Sequence, residues 1–305
     1  MTFLFDGITP LPHLGVIRVQ GDDAAKFLHG QLTQDFVLLG LQEARLTAFL
    51  SAKGRMQASF IGFKRSPTDL LLVCSHDLLA PTLKRLSMFV MRAKAILTDA
   101  TQDFALYGIA GDTVLAVTGS AQPAWTKADC DANTAVYLPS ANGQPRALWV
   151  IPAGENAPTG RALTPALWAW GEVQSGVATL TAPLVELFVP QMLNYESVGG
   201  VSFKKGCYPG QEVVARSQFR GAIKRRAYIV HAAAPLTAGA EVFAASDLEQ
   251  PCGTVVQAAP APGGGWDAIA SLQITAAEQG GLQAGAANGV PLTLGTLPYK
   301  LLEDL

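Results

Sequence analysis

One short stretch of the chain concentrates side chains that do chemistry: Phe203-Lys204-Lys205-Gly206-Cys207-Tyr208-Pro209-Gly210-Gln211-Glu212. The thiolate form of cysteine is the one that attacks electrophiles, is oxidised or binds metals, and the positive charges of Lys204 and Lys205 favour it. Gly206 and the Pro209-Gly210 pair are turn residues, so they predict that Cys207 lies at the tip of a loop. Loop tips are accessible to ligands and partners. Cys207 is therefore the candidate functional thiol.

The same stretch also has structural interpretations. A lone cysteine is often a small, inert hydrophobic residue. Glu212 is either a surface carboxylate or a residue in the first turn of a helix, where a negative charge interacts favourably with the helix dipole. Backbone N–H groups around Gly206 and Gly210 are candidates for receiving an anion. The residue types of this stretch leave both kinds of role open.

Positive charge continues beyond this stretch. Between residues 204 and 226 the single acid Glu212 stands against seven basic residues, Lys204, Lys205, Arg216, Arg220, Lys224, Arg225 and Arg226. One interpretation is a solvated, positively charged face. The other is a rim that attracts an anionic ligand or RNA. The turn Lys53-Gly54-Arg55 has the same two interpretations, a solvated turn or a contact with an anionic ligand.

Composition indicates a folded protein with more than one core. At 305 residues the chain is long enough for two or three compact units, each with its own core. Of these residues, 49% are hydrophobic and 15% are charged, as in a folded globular protein. The net charge of −2 argues against wholesale nucleic-acid binding. No apolar stretch reaches the roughly 18 residues of a membrane span, and the first residues lack the pattern of a secretory signal.

The cysteines and histidines show no pattern of a complete metal site. Cys74, Cys130, Cys207 and Cys252 are scattered without a Cys-x-x-Cys pair, and no histidine has ligand spacing with them. This scatter fits a reducing compartment, so we expect the cytoplasm. A metal or cluster bound at Cys207 would need ligands from elsewhere.

Hydrophobic periodicity predicts alternating strands and helices in the first half. Ala24, Leu28, Leu32 and Phe36 recur at helical spacing after a candidate cap at residue 22 or 23, and residues 77–90 repeat the pattern. Strands are predicted at residues 15–20, 46–49, 56–63, 70–73, 93–97, 104–109, 114–117 and 147–151. The turn at residues 52–54 predicts a hairpin, hence antiparallel pairing and an α+β fold.

The second half predicts a connector, a helix and a barrel. Residues 157–165 are rich in Pro, Gly and Thr, and a helical stretch with Trp168 and Trp170 follows. These tryptophans are either core anchors or walls for a flat ligand. Short β-like runs follow residue 226, at residues 228–231, 241–243, 252–257 and 266–272. We therefore predict an α+β region of two subdomains at residues 1–226 and a small β-barrel domain at residues 227–305.

The cysteine stretch and its surroundings resemble a known family. Residues 205–212, followed by Phe219-Arg220-Gly221, are similar to the signature of the YgfZ family, folate-binding proteins related to the aminomethyltransferase T-protein of the glycine cleavage system. Other segments in family order are residues 15–19, 21–28, 30–33, 49–55, 92–94, 188–191 and Asn194. The resemblance spans most of the chain, implies an aminomethyltransferase-like folate-binding fold, and favours a functional Cys207.

The resemblance also implies a cofactor, partners and site residues. It implies tetrahydrofolate or a derivative as cofactor, and assembly or repair of iron–sulfur clusters in selected enzymes, with an indirect effect on tRNA modification. Iron–sulfur enzymes or cluster carriers would be the partners, and Cys207 would supply one cluster ligand. The motif loop comprises Lys205, Gly206, Tyr208, Gly210, Gln211 and Glu212. Candidates for holding folate or its anionic glutamyl tail are Lys53, Arg55, Gln174, Lys204, Arg216 and Arg220.

Conventional aminomethyl transfer is not expected from this resemblance. The transferases hold the pterin with an acidic residue and place aspartates near the reacting centre. Gln174 aligns with the former and residues 55–59 align with the latter, and no carboxylate is present at either place. A general acid or base needs a titratable group within reach. Two alternatives stay open, a folate-dependent aminomethyltransferase or demethylase and an RNA-binding adaptor.

Overall fold

Two antiparallel sheets and a closed barrel form the fold in the computed structural model, which describes residues 5–286 and 288–302. Residues 1–4, part of the N-terminus considered for a signal, lie outside the described residues. The first half contains β1 (Gly7–Pro10), β2 (Leu14–Gln20), α1 (Ala24–Gln31), β3 (Ala44–Leu50), β4 (Met56–Ser66), β5 (Asp69–Ser75), α2 (His76–Ser87), β6 (Ile96–Asp99), β7 (Phe104–Ala110), α3 (Asp112–Thr118), β8 (Lys127–Cys130), β9 (Asn133–Ala141), β10 (Gln144–Pro152) and α4 (Pro165–Gln174).

The second half begins with two short 3₁₀ helices, Ala182–Leu184 and Pro190–Leu193. It continues with α5 (Gln211–Phe219), β11 (Arg225–Ala232), β12 (Glu241–Ala244), β13 (Gly253–Pro260), β14 (Trp266–Gln273), α6 (Ile274–Gln279), β15 (Leu282–Ala284) and β16 (Val290–Leu294). None of the helices in the described part of the chain is long and apolar enough to cross a membrane.

Strand order confirms the predicted α+β class and the C-terminal barrel. One sheet has the order β3-β4-β5-β2-β6 and the other β1-β7-β10-β9-β8, with antiparallel neighbours throughout. The six-stranded barrel closes where β11 pairs with β16, with Val230 opposite Leu294. Closure leaves the barrel without exposed edges.

Strand β10 shows why these sequences form a sheet that is buried on both faces. Leu148 and Val150 face the main core, while Ala147, Trp149 and Ile151 face a smaller core on the opposite side. Successive residues of a strand point to opposite faces, so an uninterrupted apolar run fits a strand between two apolar layers. Helix α3 covers the smaller core.

Two local predictions were wrong. The segment predicted as a strand at residues 114–117 lies in helix α3, which is bracketed by Gly111 and Gly119 at φ +67° and +71°. Short apolar runs do not distinguish a strand from a helix by periodicity. The helix predicted through Phe36 ends at Gln31, although Leu32 and Phe36 remain in the main core.

The barrel shares apolar surface with the rest of the chain. The main core contains four barrel residues, Ala227, Val256, Ala259 and Ile269, whereas a second cluster fills the barrel interior. The first barrel strand begins at Arg225. The division into units at residues 1–226 and 227–305 stays a prediction.

A carboxylate on the barrel ties helix α4 to strand β14. Asp267 Oδ2 accepts hydrogen bonds from Trp170 Nε1 at 2.7 Å and from Gln174 Nε2 at 2.8 Å. Its other oxygen lies 2.7 Å from Nδ1 of the half-exposed His231. These contacts fix the orientation of α4. They therefore also fix the direction in which the residues on the opposite side of that helix point.

Replacement of Asp267 should loosen this junction. We expect Asp267→Ala to lower the free energy of unfolding by about 2–3 kcal/mol, because it leaves two inward-facing N–H groups without their acceptor. Urea denaturation measures the change. His231→Ala removes only the half-exposed contact and should lower the free energy by less than about 1 kcal/mol. Equal effects of the two substitutions would contradict this account.

Candidate functional site

The loop that carries Cys207 is anchored on both sides of the thiol. Cys207 is exposed, whereas Lys205 and Tyr208 are buried. Lys205 Nζ donates hydrogen bonds to the carbonyls of Leu32 at 3.1 Å and Gly206 at 3.3 Å, and lies 4.3 Å from the centre of the Tyr208 ring. An ammonium is attracted to carbonyl oxygens and to the face of an aromatic ring. The loop therefore presents the thiol from a fixed base.

Two glycine turns meet directly beneath this loop. Gly54, between β3 and β4, and Gly210, before α5, have φ of +72° and +78°. A Cβ atom on Gly210 would lie 2.5 Å from the Ser51 carbonyl oxygen and 2.8 Å from Gly54 Cα, and one on Gly54 would lie 2.7 Å from Val213 Cβ. Only glycine tolerates both this backbone conformation and this proximity. The tertiary structure thus joins the Lys53-Gly54-Arg55 turn to the cysteine loop.

The two charged residues of the Lys53-Gly54-Arg55 turn have different surroundings. Lys53 is exposed. Arg55 Nη1 donates a hydrogen bond to the Leu187 carbonyl at 2.7 Å. Arg55 also lines a separate cleft of about 300 Å³ together with Arg225 and Glu241.

Helix α5 carries the rest of the signature. It begins after Gly210, and Glu212 lies exposed in its first turn, as the structural interpretation of this residue expects. Gln191 Nε2 donates a hydrogen bond to the Val214 carbonyl at 2.8 Å and anchors the helix. Arg216 is exposed.

The basic run divides into buried and exposed members. Lys205 and Arg226 are buried, and Arg225 is half-buried with its guanidinium donating to the Cys252 carbonyl at 3.1 Å. The exposed members, for which no ion pair exists among the described residues, are Lys204, Arg216, Arg220 and Lys224. The exposed residues retain their charge for an external anion.

A cavity of about 480 Å³ opens beside the cysteine loop. Trp125 and Phe203 provide aromatic walls, and Arg45 and Lys204 provide positive charge. Its volume is within the range of small-molecule sites, and its combination of aromatic walls with a few charged groups is typical of them. Among the residues predicted to hold folate or its anionic tail, Lys204 lines this cavity in the described part of the chain.

Two smaller cavities, of about 50 and 40 Å³, lie further inside. The 50 Å³ cavity shares Leu46 and Trp125 with the large cavity. Glu172 lines both of the small cavities. Glu172 Oε2 accepts a hydrogen bond from Gln257 Nε2 at 3.2 Å. Burial raises the pKa of Glu172, an effect that the charges of His13 and Arg146 partly oppose.

Arg146 is the cationic group of the 50 Å³ cavity. Its Nε donates a hydrogen bond to the Pro139 carbonyl at 3.1 Å, and its guanidinium lies over the Trp168 ring, 5.2 Å from the centre. Nη1 is buried and has no hydrogen-bond partner among the described residues. Burial lowers the pKa of Arg146 to about 10, while Glu172 opposes the shift. Trp168 Nε1 is a second buried N–H group here without a hydrogen-bond partner among residues 5–286 and 288–302.

The structure separates Gln174 from this cavity system. Gln174 faces Asp267 of the barrel, whereas Glu172 faces the inner cavities. Residues two apart on a helix point about 200° apart, so both cannot face the same space. Sequence reasoning missed Glu172, although a signal was available, since it is the one charged residue of α4.

A buried ion pair closes the large cavity on the barrel side. Glu196 lines the cavity, and its Oε1 accepts hydrogen bonds from Arg226 Nη1 and, at 3.1 Å, from Ser197 Oγ. Arg226 Nη2 donates to the Leu302 carbonyl at 3.2 Å. The side chains of Glu196 and Arg226 are 0% and 7% exposed, so both charges are largely shielded from bulk water.

The environment of Lys205 predicts a pH-dependent stability. Burial lowers its pKa to about 8, while Asp35 and Cys207 oppose the shift. Between that value and the ordinary lysine pKa the unfolded chain binds more protons, so stability should rise with pH in this window. We expect the free energy of unfolding of the wild type, relative to Lys205→Met, to increase between pH 8 and 9.5. A constant difference in parallel urea titrations would contradict the shift.

In the described part of the chain, no three His, Cys, Asp or Glu side chains are grouped as a metal site. All the cysteines are unpaired thiols, and of them Cys74 and Cys252 are buried and Cys130 is half-buried. Burial raises the pKa of Cys74 to about 12. Cys207 is therefore the exposed thiol of the chain.

Comparisons with known proteins identify relatives for both the sequence and the fold. No protein-family model matches the chain. A protein named tRNA-modifying protein YgfZ from Edwardsiella ictaluri is 30% identical over 304 residues, which cover 93% of this chain and 89% of that protein. An uncharacterized protein from Haemophilus influenzae is 31% identical over 215 residues, covering 70% of this chain and 69% of its own.

The fold has a counterpart among solved structures. Glycine cleavage system aminomethyltransferase T from Bartonella henselae superimposes with a TM-score of 0.69 over 97% of this chain and 86% of its own, at 16% sequence identity. The fold is therefore that of the aminomethyltransferase T-protein, as expected. With 30% identity over nearly its whole length to a YgfZ protein, the chain belongs to the YgfZ family.

Proposed function

We propose that this protein is a tetrahydrofolate-binding accessory protein for the assembly or repair of iron–sulfur clusters in selected enzymes. The observation that carries the proposal is the large cavity beside an anchored loop with an exposed thiol. Relatives named for tRNA modification fit an indirect effect, since enzymes that thiolate tRNA would be among the clients. The unpaired cysteines fit a reducing compartment, for which we propose the cytoplasm.

The residues of the cavity suit tetrahydrofolate or a derivative. Trp125 and Phe203 would pack on its rings, and Lys204 and Arg45 would attract the carboxylates of its glutamyl tail. Arg45 now pairs with Glu43 at 2.8 Å, a partly exposed contact that a ligand carboxylate can replace at low cost. Bound folate would supply a one-carbon carrier, and the protein would hold it away from bulk water.

Cys207 would serve the cluster, which in this proposal is cargo. Soft thiolate sulfur suits iron–sulfur clusters, so Cys207 would supply one ligand and a client enzyme or carrier protein the others. The exposed cations around the loop would attract an acidic partner. The motif residues on both sides of Cys207 hold the loop in place for this contact.

Calorimetric titration of the reduced protein with tetrahydrofolate, followed by an assay for one-carbon release in the same sample, tests the folate proposal. Binding without turnover is the expected result. Turnover with a small amine substrate would favour the aminomethyltransferase or demethylase alternative. The sequence weighs against this alternative, because no carboxylate occurs at residues 55–59. Of these residues, Ser59 already uses its Oγ to accept a hydrogen bond from the Leu180 N–H at 2.8 Å. Absence of binding would contradict the proposal.

Cys207→Ala should abolish support of cluster enzymes. It should leave the fold intact, because the side chain is exposed and forms no disulfide bond. The measurement is the activity of iron–sulfur enzymes in cells that depend on this protein. Cys130→Ala is the matched control, since it removes another thiol distant in sequence, and it should retain full support. Full support by Cys207→Ala would refute the role of the thiol.

A second candidate function is RNA binding by an adaptor. It is favoured by the exposed residues of the basic run, which retain free charge: Lys204, Arg216, Arg220 and Lys224. Phosphate contacts release counterions, so tRNA affinity should fall steeply with salt. A filter-binding titration at several salt concentrations distinguishes this function, and salt-independent or absent binding would dismiss it.

A further inference from the structure

We propose that a cleft between the first sheet and the barrel binds a free α-amino acid with an apolar side chain. This is the cleft of about 300 Å³ that Arg55, Arg225 and Glu241 line. Among the described residues it shares no lining residue with the large cavity, so it lies apart from the site proposed for folate. The inference therefore goes beyond the proposed function and does not depend on it.

Two guanidinium groups form the cationic side of the cleft. Arg55 Nη1 donates a hydrogen bond to the Leu187 carbonyl at 2.7 Å, and Arg225 Nη1 donates one to the carbonyl of residue 252 at 3.1 Å. Neither arginine makes an ion pair with an acidic side chain of residues 5–286 and 288–302. A guanidinium has five N–H donors, so both retain donors for a ligand. Because this geometry matches a carboxylate, the two arginines favour a carboxylate here.

Glu241 provides the anionic side of the cleft. It lies on β12 directly opposite Thr254 of β13, and both residues line the cleft. Directly opposite residues of an antiparallel pair lie on the same face of the sheet, so the carboxylate and the hydroxyl are neighbours. Within the described part of the chain the Glu241 carboxylate has no ion-pair partner. These two groups are suitable acceptors for the ammonium group of a ligand.

An apolar wall separates the charged groups from the interior. It consists of Leu187, Phe188 and Met192. The Phe188 carbonyl accepts a hydrogen bond from the Met56 N–H at 2.8 Å, and the Met192 carbonyl accepts one from Ser271 Oγ at 2.9 Å, so both sheet and barrel hold this wall in place. Leu187 is 44% exposed, and covering its apolar surface would favour an apolar ligand side chain.

The combination of these groups selects the class of ligand. A phosphate or a dicarboxylate would be attracted to the two arginines, but it would also meet the negative charge of Glu241, and like charges disfavour binding. An α-amino acid carries a carboxylate and an ammonium group on one carbon atom, so it satisfies both charged sides. The volume of about 300 Å³ is at the lower end of the range of small-molecule sites, which suits a ligand of this size.

Three related ligands separate the contributions of the two charged sides. L-leucine has both charges, N-acetyl-L-leucine lacks the ammonium group, and L-leucinamide lacks the carboxylate. Nuclear magnetic resonance titration of the isotope-labelled protein measures the affinity of each ligand. It also locates the site, because the backbone amides of Gly253 and Thr254 lie at the cleft and should shift on binding.

The chain offers variants that match these ligands. Arg55→Met and Glu241→Gln each remove one charge from the cleft and keep the approximate size of the side chain. Lys224→Met is the control, since Lys224 is an exposed cation next to Arg225 in the chain and does not line the cleft. Circular dichroism melts confirm that each variant is folded. Glu241 is exposed, so its replacement tests the site even if Arg55→Met fails to fold.

We expect Arg55→Met to weaken the binding of L-leucine and N-acetyl-L-leucine about 10-fold, the loss of a charged hydrogen bond, and to leave that of L-leucinamide unchanged. Glu241→Gln should weaken L-leucine and L-leucinamide about two- to fivefold, as for an exposed ion pair, and leave N-acetyl-L-leucine unchanged. Lys224→Met should bind all three ligands as the wild type does.

Several outcomes would overturn the inference. One is that the wild type binds none of L-leucine, L-methionine and L-phenylalanine, and another is that it binds L-leucine and its two analogues equally. Tighter binding of inorganic phosphate than of L-leucine at the Gly253 and Thr254 amides would show a simple anion site instead. Displacement of tetrahydrofolate by L-leucine would place both ligands in one site and also overturn it. Tetrahydrofolate binding is measured separately, so failure of either proposal leaves the other standing.

Discussion

Arg226→Met should lower the free energy of unfolding by about 3–5 kcal/mol, the largest effect expected of any substitution considered for this chain. The guanidinium is the partner of Glu196, whose side chain is 0% exposed. Methionine fills a similar volume but leaves the carboxylate buried without a counter-charge, and the penalty for such a charge exceeds the attraction lost. Because Glu196 lines the large cavity, ligand binding should weaken as well.

Two variants distinguish this mechanism from a general loss of packing. Arg225→Met removes the neighbouring guanidinium, which donates to the Cys252 carbonyl, and should lower the free energy by about 1 kcal/mol. The double variant Arg226→Met with Glu196→Gln should recover much of the stability, because no buried charge remains. Guanidinium chloride titrations compare the three. A double variant no more stable than Arg226→Met would contradict the account.

Gly210→Ala should lower the free energy of unfolding by about 2–5 kcal/mol and disturb the cysteine loop. The positive φ of this residue disfavours any side chain by about 1–2 kcal/mol. The added methyl group would also lie 2.5 Å from the Ser51 carbonyl oxygen, and relieving such a clash costs about 1–3 kcal/mol. Since the Gly54 turn must move, the loop that carries Cys207 should move with it.

Gly199→Ala is a matched control for this prediction. Gly199 also has φ +78°, but a Cβ atom there would have no neighbour within 4 Å. Its substitution should therefore show only the backbone term of about 1–2 kcal/mol. Thermal denaturation gives the stabilities, and the rate of Cys207 alkylation by iodoacetamide reports on the loop. Equal losses in the two variants would show that the contact between the two turns is unimportant.

Together these two sites explain how the fold supports the proposed function. The glycine contact joins the first sheet to the cysteine loop, and the ion pair joins the turns beside the cavity to the barrel. Each connects segments far apart in the chain, so the position of Cys207 relative to the cavity depends on both. Damage at either site should therefore reduce ligand binding and thiol function together.

The amino-acid sequence by itself determined the α+β class, the C-terminal barrel and the loop position of Cys207. These features depend on local patterns: uninterrupted apolar runs in strands such as β10, turn residues such as Gly54, and Gly and Pro around the thiol. Local patterns encode them because backbone conformation and the apolar face of an element follow from neighbouring residues. Where the pattern was short, as at residues 114–117, it did not distinguish a helix from a strand.

Only the tertiary structure decided which charged residues face the cavity and which are buried. Glu172 and Gln174 are two residues apart, and the packing of α4 on Asp267 directs the carboxylate toward the small inner cavities and the amide toward the barrel. Within one basic run, Lys205 and Arg226 are buried while Lys204 is exposed. Burial of a charge depends on partners supplied by distant segments, here Leu32 and Glu196, and no local pattern specifies such partners.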